Sequence, residues 1–261
     1  MSEQDTSDVA QWWSTAIIDM APGRIALRGR PIEELIGHLS FAQMIWLMLR
    51  AEVPSPAQAA LLEAALVASV DHGPQAPSIA TARMAVTCGL PLNNAMASAV
   101  NMLGDVHGGA GEQAVELYTQ ALAADDVSEA LDTWVAAHGP YVPGFGHRFH
   151  KPVDPRAPRL LALVDKARVD GVVEGRFAAV ARAIEVELDV RKSKPVPMNI
   201  DGATAVIFAE LGFAAPLARG LFCLSRSVGI LAHAWEQTQD GGRNKGPTPP
   251  HYRWAYRGER G

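Results

Sequence analysis

The stretch LGFAAPLARGLFCLSRSVGILAHAW, residues 211–235, is the longest apolar run in the chain. It is long enough to cross a bilayer, yet Pro216, Arg219, Arg226 and His233 interrupt it. Spanning would leave those charges in hydrocarbon, so the run reads as a buried helix of a soluble fold. The same periodicity of three to four residues recurs in both directions from it, whereas alternating strand patterns are nearly absent. The expected fold is all-α.

Working outward, the first ten residues read as frayed. Ile17-Ile18-Asp19 and Arg24 to Leu27 are expected to form a short hairpin around Pro22-Gly23. Pro31 opens a short helix through Leu35. Ser40 caps the next, in which Phe41, Met44, Ile45, Leu47, Met48 and Leu49 are expected to bury one broad face. Ser55-Pro56 starts another, running to about Val70. Further helices are expected near 77–88, 92–103, 108–123, 127–138, 155–168, 173–190, 199–211 and 215–236. The connecting loops are short and carry Gly, Pro or Asp, with no internal repeat and no low-complexity linker.

Composition narrows the function. Of the 261 residues, 48% are hydrophobic and 20% charged, ordinary for a globular protein, and the net charge of -5 supplies no general field for nucleic acid or anionic membrane. Anionic small molecules would need a local basic pocket. Cys88 and Cys223 both lie in apolar surroundings and read as buried reduced thiols. The polar, acidic Met1-Ser2-Glu3-Gln4-Asp5 does not resemble a signal peptide, so the expected location is the cytoplasm.

Four segments carry polar chemistry at breaks between apolar helices: Val70 to Gly73, Gly104 to Glu112, Gly144 to Arg156 and Pro197 to Gly202. Arg226 is a fifth point, a cation inside an apolar helix. In Val142-Pro143-Gly144-Phe145-Gly146-His147-Arg148, a histidine ends a Pro/Gly loop beside arginines, suited to holding a proton donor near a negative ligand. Plainer readings exist for each. His72 and His107 could complement helix C-termini, Asp201 could be an ordinary first-turn carboxylate, and Arg226 could pair with Glu210 or Glu236. Together these readings weaken, because a buried arginine is costly without a neutralising anion. His147 and His150 form an i, i+3 pair, but Cys-x-x-Cys and His-Glu-x-x-His are absent, so no metal site is expected.

These segments, in this order, resemble the citrate synthase superfamily. Met198-Asn199-Ile200-Asp201-Gly202 and Asp71-His72-Gly73 are most similar to the short citryl-CoA lyases and the related domain of ATP-citrate lyase. Gly29 to Leu35 matches the family's amino-terminal region, and the similarity runs from about Ile17 to Tyr252. The resemblance implies a two-domain helical fold, with residues 1–108 and 216–261 forming a large domain and 109–215 a small one. It implies that His107 stabilises the enol of a thioester, Asp201 moves the proton at the acetyl carbon, and His147 acts at the oxaloacetate carbonyl oxygen. His72, Arg156 and Arg226 would grip a dicarboxylate. Arg148, Lys151, Lys192 and Lys194 would meet coenzyme A, and the backbone of Val142, Pro143, Gly144, Phe145 and Gly146 would cradle its adenine end. Coenzyme A thioester enters as substrate, no tightly bound cofactor is implied, and the helices of 77–103 and 215–236 are expected to join two copies in a homodimer.

The chemistry agrees with those roles. Bond breaking beside a thioester carbonyl places charge on its oxygen, where a fixed donor lowers the barrier. A carboxylate and an imidazole can then move the two protons. One departure stands out. Synthases of the family carry an arginine in an Arg-Pro-Arg stretch near the C-terminus, and Gly246 to Tyr252 has none; Arg243, Lys245 and Arg253 are the nearby cations. That gap puts the keto-acid in question, and the chain is also shorter than typical synthases. The shortness favours citryl-CoA cleavage, and the missing arginine leaves open a related 3-hydroxyacyl-CoA with a different tail. The alternatives are a citrate or 2-methylcitrate synthase and, from another class, a non-catalytic acyl-CoA-binding paralogue.

Overall fold

The computed structural model describes residues 3–192, 194–244, 246, 248–249 and 251–259, with side chains described from Asp8 onward. The chain opens with α1 (Glu3–Trp12), where fraying was expected, and a small antiparallel sheet of β1 (Ile18–Ala21), β2 (Arg24–Leu27) and β3 (Arg30–Pro31). The expected hairpin is present, with Ala21 opposite Arg24, and β3 adds a third strand. Helices follow: α2 (Ile32–Leu35), α3 (Phe41–Arg50), α4 (Pro56–Ala68), α5 (Pro77–Thr87), α6 (Leu92–Val100), α7 (Ala110–Ala123) and α8 (Val127–His138). The last four are α9 (Arg156–Val169), α10 (Arg176–Lys192), α11 (Ile200–Glu210) and α12 (Ala215–Asp240). The fold is all-α.

Local chemistry explains the boundaries. Ser40 and Ser55 each form a capping box with the glutamine three residues on, satisfying donors that a helix start otherwise leaves open. The Glu210 carboxylate, at the end of α11, accepts from the backbone of Gly175, Phe177 and Ala178 and closes the start of α10.

Two buried clusters organise the helices. The larger joins Trp46, Leu61 and Leu62 of α3 and α4 with α7 to α11, and α11 is buried continuously from Gly202 to Ala209. The smaller is alanine-rich and joins α5, α6 and the second half of α12 through Ile79, Ala82, Ala95, Ala99 and Ile230. Small side chains let those helices approach closely.

Three expectations need correction. α12 is not buried throughout: Leu224, Val228, Leu231 and Trp235 are exposed. Its pattern is that of a half-buried amphipathic helix. In α3 the buried residues are Ala42, Ile45, Trp46 and Leu47, while Phe41 in the first turn, at 77% exposure, and Leu49 in the last are exposed. Cys88, just past the end of α5, is exposed, and Cys223 on α12 is half-buried.

Candidate active site

A cleft of about 630 Å³ opens where the two clusters meet. His72, His107, His147, Asp201 and Arg226 all line it, together with Gly146 and Arg148. Residues far apart in the chain therefore converge. A wider groove of about 980 Å³ between α7, α10 and the start of α12 holds none of them.

His107 is positioned by α5. Its Nε2 accepts the backbone N–H of Ser78 at 3.2 Å and lies 3.0 Å from the Ser78 hydroxyl. Ser78 sits in the first turn of α5, where backbone donors have no helical partner. A backbone N–H can only donate, so the neutral ring carries its proton on Nδ1. Burial, and then the Arg226 charge, push the His107 pKa down and keep the ring neutral. The result is an uncharged donor rather than an imidazolium. The plainer reading of His107 as a partner for a helix C-terminus thus gives way to contact with a helix N-terminus.

The opposite wall is built by backbone. Gly144 O accepts from Asn199 N at 2.9 Å, Gly146 N donates to Pro197 O at 2.7 Å, and Asn199 Nδ2 donates to Gly146 O at 2.7 Å. A Cβ on Gly144 would lie 2.7 Å from Gly202 Cα, and one on Gly202 would lie 2.3 Å from Gly144 O. Both positions require glycine for contact, and Gly144 also has a positive φ of 85°. Val142, Pro143, Gly144 and Phe145 are buried behind the cleft rather than lining it. The Asn199 side chain caps α11, accepting from Asp201 N and Gly202 N, and Tyr118 donates to Gly202 O.

This stitching presents His147 and Asp201 together. His147 Nδ1 accepts from the backbone of Phe149 and His150, each at 3.0 Å, so the neutral ring carries its proton on Nε2. Its pKa is lowered first by burial and then by His150. The His72 ring centre lies 5.4 Å away. Burial, Arg226 and Arg156 depress His72 to about 4, leaving it neutral. Asp201, in the first turn of α11, leaves helix capping to Asn199, and burial raises its pKa against the opposing pull of Arg226 and Arg156.

The two arginines differ. Arg226 is 5% exposed; it donates from Nε to Ser69 O and lies over the Phe222 ring at 4.7 Å. Among the described residues it forms no ion pair. Glu210 caps α10 and Glu236 pairs with Arg83, so neither plainer partner holds it. Arg156 sits behind the lining and is clamped by Asp154, Nε to Oδ1 at 3.0 Å and Nη2 to Oδ2 at 2.8 Å. Asp154 is fully buried and also accepts from Ile200 N, fixing α11 to the start of α9. Sequence reasoning missed Asp154, Ser78, Asn199 and Tyr118 as positioning residues, and Tyr141 and Phe149 as part of the lining. Asp154 had a signal, since an aspartate two residues before a helical N–H commonly accepts it. Ser78 and Tyr118 had none.

Lys151, Lys192 and Lys194 are exposed and do not line the cleft. Arg243 and Arg253 are likewise exposed, and Lys245 lies outside the described residues. Among the described residues no group of three or more His, Cys, Asp or Glu is arranged to hold a metal ion.

Residues 48–248 match the family described as Citrate synthase, C-terminal domain. The chain belongs to the citrate synthase family. Its fold is similar to that of citryl-CoA lyase from Hydrogenobacter thermophilus, with 32% identity, a TM-score of 0.85, and 95% of this chain and 96% of that one covered. The citrate synthase of Acidithiobacillus ferridurans is 29% identical over 77% of this chain and 53% of its own length. The chain thus spans about half the length of the curated relatives it matches. The ATP citrate lyase of Methanosaeta concilii shares the fold, with a TM-score of 0.81 at 20% identity, over 99% of this chain and 45% of that one.

Proposed function

We propose that this citrate synthase family member cleaves citryl-CoA, or a related 3-hydroxyacyl-CoA, to acetyl-CoA and oxaloacetate. The observation that carries the reading is the pairing of a neutral His107, its Nδ1–H free for the cleft, with a half-buried Asp201 of raised pKa. The substrate hydroxyl loses its proton to His147 and the carbon–carbon bond breaks. Its electron pair moves into the thioester as an enolate, whose oxygen His107 holds. Asp201, as the acid, delivers a proton to the carbon. One donor of the His107 kind is worth about 10²–10³-fold. Arg226 meets a substrate carboxylate, with His72 and Arg156 beside it. Arg148 and the exposed lysines meet the phosphates of coenzyme A, with Gly146, the one residue of the Val142–Gly146 loop that lines the cleft, near its adenine end.

The similarity to citryl-CoA lyase over nearly the full length of both chains supports the cleavage direction. The proposal includes a cytoplasmic homodimer, joined through α5, α6 and the exposed face of α12, with 109–215 as the small domain. A second reading, citrate or 2-methylcitrate synthase, draws on the relatives named citrate synthase and on the His147 tautomer. The resting Nε2–H is already the donor a ketone oxygen needs. Cleavage instead requires Nε2 to accept, which moves the ring proton to Nδ1 and breaks its two backbone bonds.

Mass-spectrometric product analysis after incubation with citryl-CoA tests the proposal. Acetyl-CoA plus oxaloacetate is expected. Citrate plus free coenzyme A would replace the proposal with the second reading, and absence of any product would overturn both.

A further inference from the structure

The wall that carries His107 is held to the rest of the molecule by a side chain outside the cleft. On α12, Arg219 and Arg226 are seven residues apart, so they share one face about 10.5 Å apart along the axis. Arg226 faces the cleft. Arg219, two turns earlier, donates from Nη2 to Asp105 Oδ1 at 2.6 Å, and its Nε pairs with Glu112 Oε2. Asp105 lies in the loop two residues before His107, and Glu112 lies in the first turn of α7, five residues after it. A single guanidinium therefore grips both sides of the segment that carries His107. Arg219 and Glu112 are largely covered, at 27% and 16% side-chain exposure, unlike an ordinary surface pair, whereas the Asp105 carboxylate on the other side of the grip is 77% exposed. Gln113 adds a second hold by donating to Asp105 O at 3.2 Å. One turn along α12, the Phe222 ring would be 3.1 Å from a Cβ at Gly108, so the loop rests directly on the helix.

We propose that Arg219 is a positioning residue for His107: it fixes the loop so that Nε2 stays under the Ser78 N–H and Nδ1–H stays directed at the thioester oxygen. Among the described residues the ring is held from α5, and the loop below it from α12, from α7 and by its own Gly104 N to His107 O hydrogen bond at 2.9 Å. Loss of the Arg219 grip loosens the loop, leaving the Gln113 and Phe222 contacts, without removing any group that touches substrate. The inference rests on the proposed role of His107. Its test has one arm that does not depend on that role.

Arg219→Gln and Arg219→Lys are made in the full chain, and the imidazole nitrogens are read by long-range ¹H–¹⁵N NMR. The wild-type His107 ring is expected as a single neutral tautomer with the proton on Nδ1. In Arg219→Gln the ring averages between tautomers, and Arg219→Lys restores the wild-type pattern in part. With citryl-CoA, kcat falls about tenfold to a hundredfold, as expected for a group displaced by about 1 Å, while KM changes by less than about threefold. Asp105→Asn behaves like Arg219→Gln, and the double variant is no worse than either. Unchanged His107 ring signals in Arg219→Gln overturn the proposal, as does an additive loss in the double variant. Should the wild type leave citryl-CoA untouched, the proposed activity fails while the ring signals still decide the role of Arg219. Should Arg219→Gln fail to fold, Asp105→Asn, which keeps Arg219 and Glu112, provides the same readout.

Discussion

The two walls of the cleft are built by different means. On one side the Gly144 and Gly202 backbones touch, and Pro197, Asn199 and Gly146 exchange main-chain hydrogen bonds. On the other, His107 depends on the side chain and first-turn N–H of Ser78, with Arg219 gripping its loop. Backbone contact leaves no room for adjustment and fails as a unit. Side-chain contact can be tuned one group at a time. The first wall should therefore answer mutation in stability, and the second in rate.

The sharpest break in that pattern is Asp201→Asn, which removes the acid of the first wall without disturbing its backbone. Turnover is expected to fall by roughly 10²–10⁴-fold, with binding of a CoA ester retained, measured by initial rates and calorimetry. Because burial raises the Asp201 pKa in the folded state, its ionised form costs stability above that pKa, and the cost vanishes as pH falls below 3.8. The variant should melt higher than wild type near pH 7 and equally near pH 3.

Gly144→Ala tests the backbone wall itself. A Cβ forced to 2.7 Å from Gly202 Cα at positive φ should cost about 3 kcal/mol or more. Thermal melts should show it, at roughly 2–4 °C for each kcal/mol. Next in size is Arg226→Met. Removing a buried, unpaired cation should raise the melting temperature of the ligand-free protein, while KM for the carboxylate substrate rises about tenfold. A fall in both would mean that Arg226 serves the fold.

Ser78→Ala probes the tunable wall. It deletes one hydroxyl contact to His107 and keeps the N–H, so kcat should drop only about fivefold, the equivalent of about 1 kcal/mol. Smallest is a pH effect at His72, whose pKa is about 4 in the folded chain against 6.5 unfolded. The unfolded chain binds the extra proton between those values, so His72 lowers stability progressively as pH falls from 6.5 to 4. His72→Gln should flatten that part of the stability–pH curve, measured by denaturant titration.

Much of this was legible in the chain before its fold was known. Helix periodicity and the Ser40 and Ser55 caps located most elements within a few residues, and polar groups at Gly-flanked breaks identified five of the residues lining the cleft. Contacts between distant segments were not legible. Nothing near Ser78 marks it as the partner of His107, 29 residues away. Tyr118 is likewise an ordinary aromatic on a helical face until its hydroxyl reaches Gly202. The exposed half of α12 escaped for a similar reason: an apolar run reports what could be covered, and only packing decides which side is. Arg156 had the right neighbourhood, but its clamp by Asp154 depends on the turn that brings the two side chains together.

The close crossing of Gly144 and Gly202 bears on how the cleft would change width. His147 follows Gly144 by three residues and Asp201 precedes Gly202, so both are fastened to one piece of joined main chain. A motion that opened or narrowed the cleft between these walls would be expected to carry them together. Only their distance to His107, on the far wall, responds. Proton handling is thus preset, and approach to the enolate is the variable that motion controls.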